Sequence, residues 1–387
     1  MAKETMTSRE RVLKTLNHEE PDRVPIDLGG FQTGIHLNAY RDLVAHLGLQ
    51  ETILTLDPVQ QLAVPSERLL QRLHVDIRYV TAQAPSSFKG GVEKTVRAGQ
   101  TWFDLKDEFG VVWSMPEEQM LYMDISHHPL AEASIKDLDT YPFPNGADPT
   151  RFTGVREKIL ALRRETDCAV SSGICGVTYE ICWYMRGLER WLMDLVDNQP
   201  FCEALLDRTC QFWVDWMNGF LTEAGDLLDV IMIGDDLAGQ AGPLFSPALY
   251  RRLVRPRQKR VIDTIRKKSQ AKIWYHTCGS CIEYIRDFID MGIDVLNPVQ
   301  LSASGMDPKF LKDQFGKNIS FWGGGIDSQH ILPFASPERV REEVRRNIEA
   351  FKPGGGCVFN NVHNIQAGVP PENILAMYDA AYEYGFY

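Results

Sequence analysis

A histidine and a cysteine separated by one residue, His276 and Cys278, give the clearest sign of chemistry in this sequence. Alternate residues of an extended strand point to the same side, so an imidazole nitrogen and a thiolate sulfur could reach one metal ion. A third soft ligand could come from Cys357, at the start of a later apolar segment. Three protein ligands with an open fourth position are typical of a catalytic zinc site.

The same segment allows two other interpretations. Cys278 and Cys281 form a Cys-Gly-Ser-Cys motif, which at a helix start could be a redox dithiol. Alternatively, His276 is hydrogen-bonded inside the fold and the cysteines are small core residues, as free cysteines usually are. Spacing alone leaves all three open. The other cysteines lie beside apolar or helical sequence and are expected to serve packing: Cys168, Cys175, Cys182, Cys202 and Cys210.

Two adjacent carboxylates, Asp235 and Asp236, follow the apolar segment Val230–Gly234. A carboxylate pair at a strand end suits acid–base catalysis or substrate anchoring. Side chains of this type also cap helices and turns. The pattern does not decide between these two roles.

Short apolar segments rich in Val and Ile recur along the chain and predict the strands that must position these residues. They are Val24–Asp27, Val75–Val80, Ala169–Ser172, Leu228–Gly234, Lys272–His276, Ile293–Asn297, Ile319–Gly323 and Cys357–Asn360. Most intervals between them have helical periodicity. The alternation predicts an α/β fold, a (β/α)8 TIM barrel whose chemistry lies at the carboxyl ends of the strands.

The interval from Ser86 to Pro149 is too long for a simple barrel connection. It alternates aromatic and polar residues between turn signals, which predicts antiparallel strands. We expect a β-rich insertion, residues 86–149, after the second strand of a single domain spanning residues 1–387. The insertion would pack beside the barrel mouth or against a partner.

Composition excludes several classes of partner. The chain of 387 residues has 41 Lys and Arg against 52 Asp and Glu, a net charge of -11. Such a protein would repel nucleic acid and anionic membrane surfaces at long range. The sequence contains no apolar run of about 18 residues and no apolar signal near Met1. A cytoplasmic protein is expected.

Motifs in a fixed order resemble the uroporphyrinogen decarboxylase-like superfamily and, within it, the corrinoid-dependent methyltransferases. They lie at residues 9–12, 21–25, 234–240, 276–279, 297–300, 321–324, 363–366 and 370–374. The resemblance implies a (β/α)8 barrel. Because methyltransferase members carry zinc on His-x-Cys with a distant Cys, it also implies zinc on His276, Cys278 and Cys357. The segment Leu28–Tyr40 contains no arginine to bind porphyrinogen carboxylates, which argues against decarboxylation of uroporphyrinogen.

The resemblance leaves two methyl transfers open. In one, a zinc-bound thiolate takes methyl from methylcobalamin. In the other, which the insertion and the C-terminal motifs favour, a methyl ether gives its methyl group to cob(I)alamin on a partner corrinoid protein. We therefore expect an O-demethylase acting on a small O-methyl donor, a methoxylated aromatic. A metal-free decarboxylase and a non-catalytic corrinoid-binding module are the remaining alternatives, and the chain could form a homodimer.

Site residues follow from this expectation. Asp236, with Asp235 or His363, would orient or protonate the substrate. The residues expected to bind the substrate are Phe31, Tyr184, Asn297, Gln300 and Trp322. Trp113 is a further aromatic candidate near the mouth of the barrel.

Overall fold

A computed structural model describes residues 4–173 and 177–387. Its strands are β1 (Thr55–Asp57), β2 (Leu62–Ala63), β3 (Ile77–Tyr79), β4 (Val92–Arg97), β5 (Gln100–Lys106), β6 (Val112–Pro116), β7 (Asp124–His127), β8 (Ala169–Gly173), β9 (Val230–Gly234), β10 (Lys272–His276), β11 (Val295–Asn297), β12 (Ser320–Trp322) and β13 (Cys357–Val358).

The α-helices are α1 (Ser8–Leu16), α2 (Leu37–His46), α3 (Glu67–Arg72), α4 (Val155–Glu165), α5 (Tyr179–Arg186), α6 (Leu188–Asp197), α7 (Gln199–Ala224), α8 (Pro247–Leu249), α9 (Arg255–Lys268), α10 (Ile285–Met291), α11 (Pro308–Phe315), α12 (Pro337–Phe351) and α13 (Pro371–Gly385). A π-helical turn at Tyr250–Val254 joins α8 to α9, and short 3-10 helices lie at Glu117–Gln119, Ile135–Asp139, Pro149–Phe152 and Ile282–Tyr284. No helix in these two described ranges is long and apolar enough to cross a membrane.

Seven parallel strands form one curved sheet in the order β13-β12-β11-β10-β9-β8-β3. The predicted first strand occupies the eighth position as a short bridge between Ile26 and Phe359. The Asp27 amide donates to the Phe359 carbonyl (2.9 Å), and the Asp76 amide donates to the Ile26 carbonyl (2.8 Å). These bonds link the bridge to both edges of the sheet, and the predicted (β/α)8 fold class is confirmed.

Alternate residues of the parallel strands face the barrel interior, as the two-residue period requires. The interior layer consists of Ile77, Ala169, Val230, Met232, Trp274, Val295, Trp322 and Val358, and it is separate from the larger core under the helices. The intervening residues, such as Tyr275, Leu296 and Cys357, pack in the larger core instead. Whether a side chain faces the barrel interior or the helices therefore alternates from one strand residue to the next.

The long interval contains a four-stranded antiparallel sheet in the order β4-β5-β6-β7. The segment between β6 and β7 contacts the loops above the barrel: the Met123 amide donates to the Val59 carbonyl (2.9 Å). Trp113 of β6 also packs edge-to-face on Tyr184, with ring centroids 5.1 Å apart. The sheet thus lies beside the barrel mouth, at the end where the parallel strands finish.

Candidate metal centre

His276, Cys278 and His363 bring their ligand atoms within 4.8 Å of one another at the carboxyl end of the barrel. Cys278 Sγ lies 3.5 Å from His276 Nε2. Zinc bonds of about 2.0 Å to nitrogen and 2.3 Å to sulfur place tetrahedral ligands about 3.3–3.8 Å apart. Two imidazoles and a thiolate therefore fit zinc in donor type, and one pair already has the required spacing.

Asn297, the last residue of β11, sets the orientation of His276. Its Nδ2 donates to the Trp322 carbonyl (2.8 Å), so its Oδ1 is the atom that faces His276 Nδ1 at 2.6 Å. The Nδ1 atom must then carry the hydrogen, which leaves the Nε2 lone pair for a metal. Burial lowers the pKa of His276, against the opposing effect of the Asp236 carboxylate, and favours the neutral imidazole that can act as a ligand.

The loop that carries Cys278 is held by side chains from two neighbouring strand ends. Asp236 Oδ1 accepts from the Cys278 amide (2.7 Å), and Gln300 Oε1 accepts from the Gly279 amide (2.7 Å). Gly279 has a φ of +82°, and an added Cβ would lie 2.5 Å from the Ala238 carbonyl oxygen. Only glycine fits here, so the turn after Cys278 is defined by the sequence itself.

His363 follows β13 and lies edge-to-face with His276, with ring centroids 5.3 Å apart. Burial, with the adjacent His276 as a smaller cause, lowers the pKa of His363 to about 3. This imidazole is therefore neutral at ordinary pH. Its place in the cluster makes it a candidate ligand, and as a neutral imidazole it could orient the substrate but not protonate it.

The structure does not bring Cys357 to this cluster, which corrects its expected role as the third ligand. Cys357 belongs to the core under the helices, while its neighbour Val358 faces the barrel interior. Its backbone carbonyl accepts from Thr15 Oγ1 (3.3 Å), and burial raises its thiol pKa to about 12. The parity of β13 directs this thiol away from His276.

The redox interpretation of the Cys278 and Cys281 pair also loses support. Cys281 is fully buried in the larger core, and burial raises its pKa to about 12. A thiol in such apolar surroundings is unreactive. Neither cysteine forms a disulfide within the described residues, nor do the buried Cys168, Cys182, Cys202 and Cys210, whereas Cys175 lies outside the described residues.

The two predicted carboxylates have different environments. Asp235 is buried and accepts from the amides of Tyr179 and Glu180 at the start of α5 (2.9 Å each) and from Gln258 Nε2 (2.9 Å). It is a helix cap, which corrects its expected catalytic role. Asp236 is partly exposed, and its Oδ1 lies 3.8 Å from His276 Nε2.

A cavity of about 480 Å³ opens beside the cluster. Its lining residues are Phe31, Gln32, Asp57, Val59, Gln60, Trp113, Tyr122, Met123, Glu180, Tyr184, Asp236, His276 and His363. Phe31, Tyr184 and Trp113 were among the aromatic candidates from the sequence. Three lining residues come from the insertion, and three more come from the segment around β1 and β2. No lining residue in the described ranges is Lys or Arg.

Three residues expected to bind substrate lie elsewhere. Trp322 is fully buried in the barrel interior, stacked on Trp274 with ring centroids 4.8 Å apart, and its Nε1 donates to Asp27 Oδ2 (2.9 Å). Asn297 and Gln300 support the cluster through the hydrogen bonds given above and do not line the cavity. All three are corrected to positioning or packing residues.

Glu180 is a cavity residue that the sequence reasoning missed. Tyr184 donates to its Oε1 (2.5 Å), and burial, together with the nearby Asp236 carboxylate, raises its pKa well above the usual range. Its position in the first turn of the helix after β8 was an available signal, because residues just after barrel strands face the mouth.

Comparison with known proteins places the chain in a family. The family model for uroporphyrinogen decarboxylase (URO-D) matches residues 106–384. A uroporphyrinogen decarboxylase of Alkalilimnicola ehrlichii is 24% identical over 389 residues, which cover 98% of this chain and 95% of that protein. That of Psychromonas ingrahamii is also 24% identical, over 64% of this chain and 68% of its own length.

Among solved structures, a methyltransferase from Methanosarcina mazei has a similar fold. It superimposes with a TM-score of 0.66 at 18% identity and covers 98% of this chain and 99% of its own. The shared fold, together with the family match over most of the sequence, gives one conclusion: the chain belongs to the uroporphyrinogen decarboxylase family.

Proposed function

We propose that this protein is a zinc-dependent methyltransferase that moves a methyl group from a small O-methyl donor to cob(I)alamin on a partner corrinoid protein. The observation that carries the proposal is the cluster of His276, Cys278 and His363 beside a cavity of about 480 Å³. Zinc held there would supply Lewis acidity to the ether oxygen of the donor.

The cavity wall argues against the decarboxylation after which the family is named. A porphyrinogen with many carboxylates needs cationic partners, and the described lining residues include neither Lys nor Arg. The Leu28–Tyr40 segment likewise contains no arginine. Family membership therefore does not carry that substrate over to this chain.

The transfer balances as a substitution at the methyl carbon. The methyl group would leave the ether oxygen, which keeps the bonding electron pair and takes a proton, and would bond to cobalt through the electron pair of cob(I)alamin. Asp236 would orient the donor, and the hydrogen bond from the Cys278 amide to its Oδ1 (2.7 Å) holds this carboxylate beside the cluster. The Glu180 and Tyr184 pair lines the same cavity and can hydrogen-bond the donor.

Metal analysis of the purified full-length protein tests the metal role. We expect about one zinc per chain and its loss in Cys278→Ala and His363→Ala. Cys281→Ala is the matched control, because this buried thiol lies outside the cluster. Zinc-free protein with full methyl-transfer activity would refute the role of the metal.

Two assays separate the possible directions of transfer. One supplies cob(I)alamin on a corrinoid protein with a methoxylated aromatic, and the other supplies methylcobalamin with a simple thiol. We expect turnover in the first. Turnover in the second alone would assign the protein to thiol methylation and overturn the proposed donor.

A further inference from the structure

The methyl transfer proposed above needs a source for one proton, because the ether oxygen keeps the bonding electron pair when the methyl group leaves. An acid for this step must hold its proton at neutral pH and lie near the metal centre that would bind the oxygen. The titratable side chains around the cavity are Asp57, Tyr122, Glu180, Tyr184, Asp236, His276 and His363. Their contacts separate the candidates.

Most of these groups are poorly suited to deliver the proton. Under the proposed function, His276 and His363 each give a lone pair to zinc. Asp236 is partly exposed and faces the metal ligands, with its Oδ1 3.8 Å from His276 Nε2. Burial raises the pKa of the Tyr122 phenol, which makes it a weaker acid than an ordinary tyrosine. The remaining side chains are Asp57 and the hydrogen-bonded pair of Glu180 and Tyr184.

Glu180 is connected to the candidate metal centre through one residue, Asp236. The Asp236 amide is a hydrogen-bond donor to the Glu180 carboxyl. The Asp236 side chain in turn accepts from the Cys278 amide (2.7 Å) and lies beside His276. The carboxyl of Glu180 and the metal ligands therefore border the same end of the cavity. A donor whose ether oxygen is bound at the metal would lie within reach of Glu180.

The start of α5 does not stabilise an ionised Glu180. Asp235 accepts from the amides of Tyr179 and Glu180 (2.9 Å each), so these N–H groups are already used by another carboxylate. Burial, and after it the neighbouring Asp236 carboxylate, raises the pKa of Glu180 well above the usual range, against the hydrogen bond from Tyr184. We therefore expect the un-ionised acid at neutral pH.

A bound zinc ion would favour ionisation of nearby carboxyls, but its charge is largely balanced before it reaches Glu180. Two neutral imidazoles and one thiolate leave the zinc site with a single positive charge. Asp236 Oδ1, 3.8 Å from His276 Nε2, is placed to balance that charge. Among the described residues, Glu180 is not a member of the ligand cluster and has no ion pair with it.

Asp57 is the other buried carboxyl of the wall, and it differs from Glu180 in its contacts. Its Oδ1 accepts from the Val59 amide (2.8 Å), and its Oδ2 accepts from Gln60 Nε2 (2.7 Å). Burial raises its pKa as well. No hydrogen bond within the described residues joins it to the metal centre. It is therefore a matched carboxyl of the same cavity against which the role of Glu180 can be tested.

We propose that Glu180 is a catalytic residue that gives its carboxyl proton to the ether oxygen as the methyl group leaves. This inference rests on the proposed function and names the proton source of its reaction. The carboxyl O–H bond breaks as an O–H bond forms on the leaving oxygen, which keeps the electron pair of the broken C–O bond. Cob(I)alamin supplies the electron pair of the new cobalt–carbon bond. Glu180 remains as a carboxylate and regains a proton from water after the demethylated product leaves, while Tyr184 is a positioning residue that holds Oε1 (2.5 Å).

Infrared difference spectra of the zinc-loaded protein test the protonation of Glu180 without any corrinoid. At neutral pH, the spectrum of the unmodified protein minus that of Glu180→Gln should show the carbonyl stretch of an un-ionised carboxyl. Glu117→Gln is the matched control, because Glu117 is exposed, pairs with Lys94 and does not line the cavity. Its difference spectrum should show only an ionised carboxylate. The same carboxylate signal for Glu180 would overturn the inference.

Single-turnover methyl transfer from two uncharged ethers tests the proton transfer itself. The ethers, each at saturation, are methoxybenzene and 4-methoxybenzonitrile, whose phenolate leaves more readily and needs the acid less. Glu180→Gln should slow transfer from methoxybenzene about 100- to 10,000-fold, and the loss with 4-methoxybenzonitrile should be at least about tenfold smaller. Asp57→Asn should change both rates by the same factor. If Glu180→Gln does not fold, Glu180→Asp, which keeps an acid, should slow transfer without this dependence on the leaving group.

Two results would overturn the inference while methyl transfer itself is intact. One is an equal loss with both ethers in Glu180→Gln, and the other is a loss that depends on the leaving group in Asp57→Asn instead. Failure of the proposed function looks different: an un-ionised Glu180 in a protein that transfers no methyl group from any ether would refute that function and, with it, the role of this proton.

Discussion

Replacing Asn297 with alanine should weaken zinc binding about 10- to 100-fold. The variant removes the acceptor that lies 2.6 Å from His276 Nδ1 and leaves a buried N–H group without a partner. An unpaired buried N–H group costs about 1–3 kcal/mol of free energy, which corresponds to a loss of zinc affinity of about 10- to 100-fold. The imidazole also loses the contact that fixes its tautomer, so the Nε2 lone pair is no longer held ready for the metal.

Asn297→Asp is the informative companion variant. A carboxylate at this position still accepts from Nδ1–H and makes His276 a more basic ligand, so zinc affinity should be kept or increased. Competition with a chromophoric chelator at neutral pH measures both affinities, and thermal unfolding of the metal-free proteins shows whether each variant folds. Unchanged zinc affinity in the alanine variant, or an aspartate variant as weak as alanine, would refute the reasoning about the tautomer.

Three further substitutions test the packing around the site. Cys357→Ala should keep its zinc content by elemental analysis, because the thiol faces the helices; loss of metal would contradict the assignment of strand faces. Asp235→Asn should lower the free energy of unfolding in urea by about 1–3 kcal/mol, since an amide cannot accept all the bonds made at the start of α5; an unchanged midpoint would argue against the capping role. Burial raises the pKa of Asp27 from 3.8 to about 6, so the unfolded chain loses its proton first as pH rises. The native protein should therefore lose about 2–3 kcal/mol of stability between pH 4 and pH 7, and Asp27→Asn should lose this dependence; identical pH profiles would refute it.

The sequence was informative about the barrel because its strands are buried on both faces. Continuous apolar segments mark such strands, and Lys272–His276 was predicted with the bounds that the structure has. The pair β1 and β2 was missed, since strands of three and two residues are too short to show a period. The first strand was predicted over Val24–Asp27 but forms only a bridge at Ile26.

Predicting the site was harder because it depends on strand faces and on distant segments. Cys357 is a residue type that binds zinc, but its side chain points from β13 towards the helices and not into the barrel. A shift of one residue along a strand moves a side chain to the opposite face of the sheet. The Trp322 side chain faces the barrel interior, but it stacks on Trp274 below the mouth and does not reach the cavity. Tyr122 reaches the cavity from the insertion, and no local pattern encodes a contact across that distance.

Two structurally separate supports meet at the cavity. The ends of the barrel strands hold His276 and the loop of Cys278, whereas Trp113 and Tyr122 come from the insertion, whose sheet has its own antiparallel hydrogen bonds. Under the proposed function, the part of the cavity wall that the insertion supplies can therefore change by mutation while the candidate metal centre stays intact. Relatives with the same barrel could acquire new specificities by exchanging this sheet, which makes residues 92–127 the natural segment to vary in directed evolution.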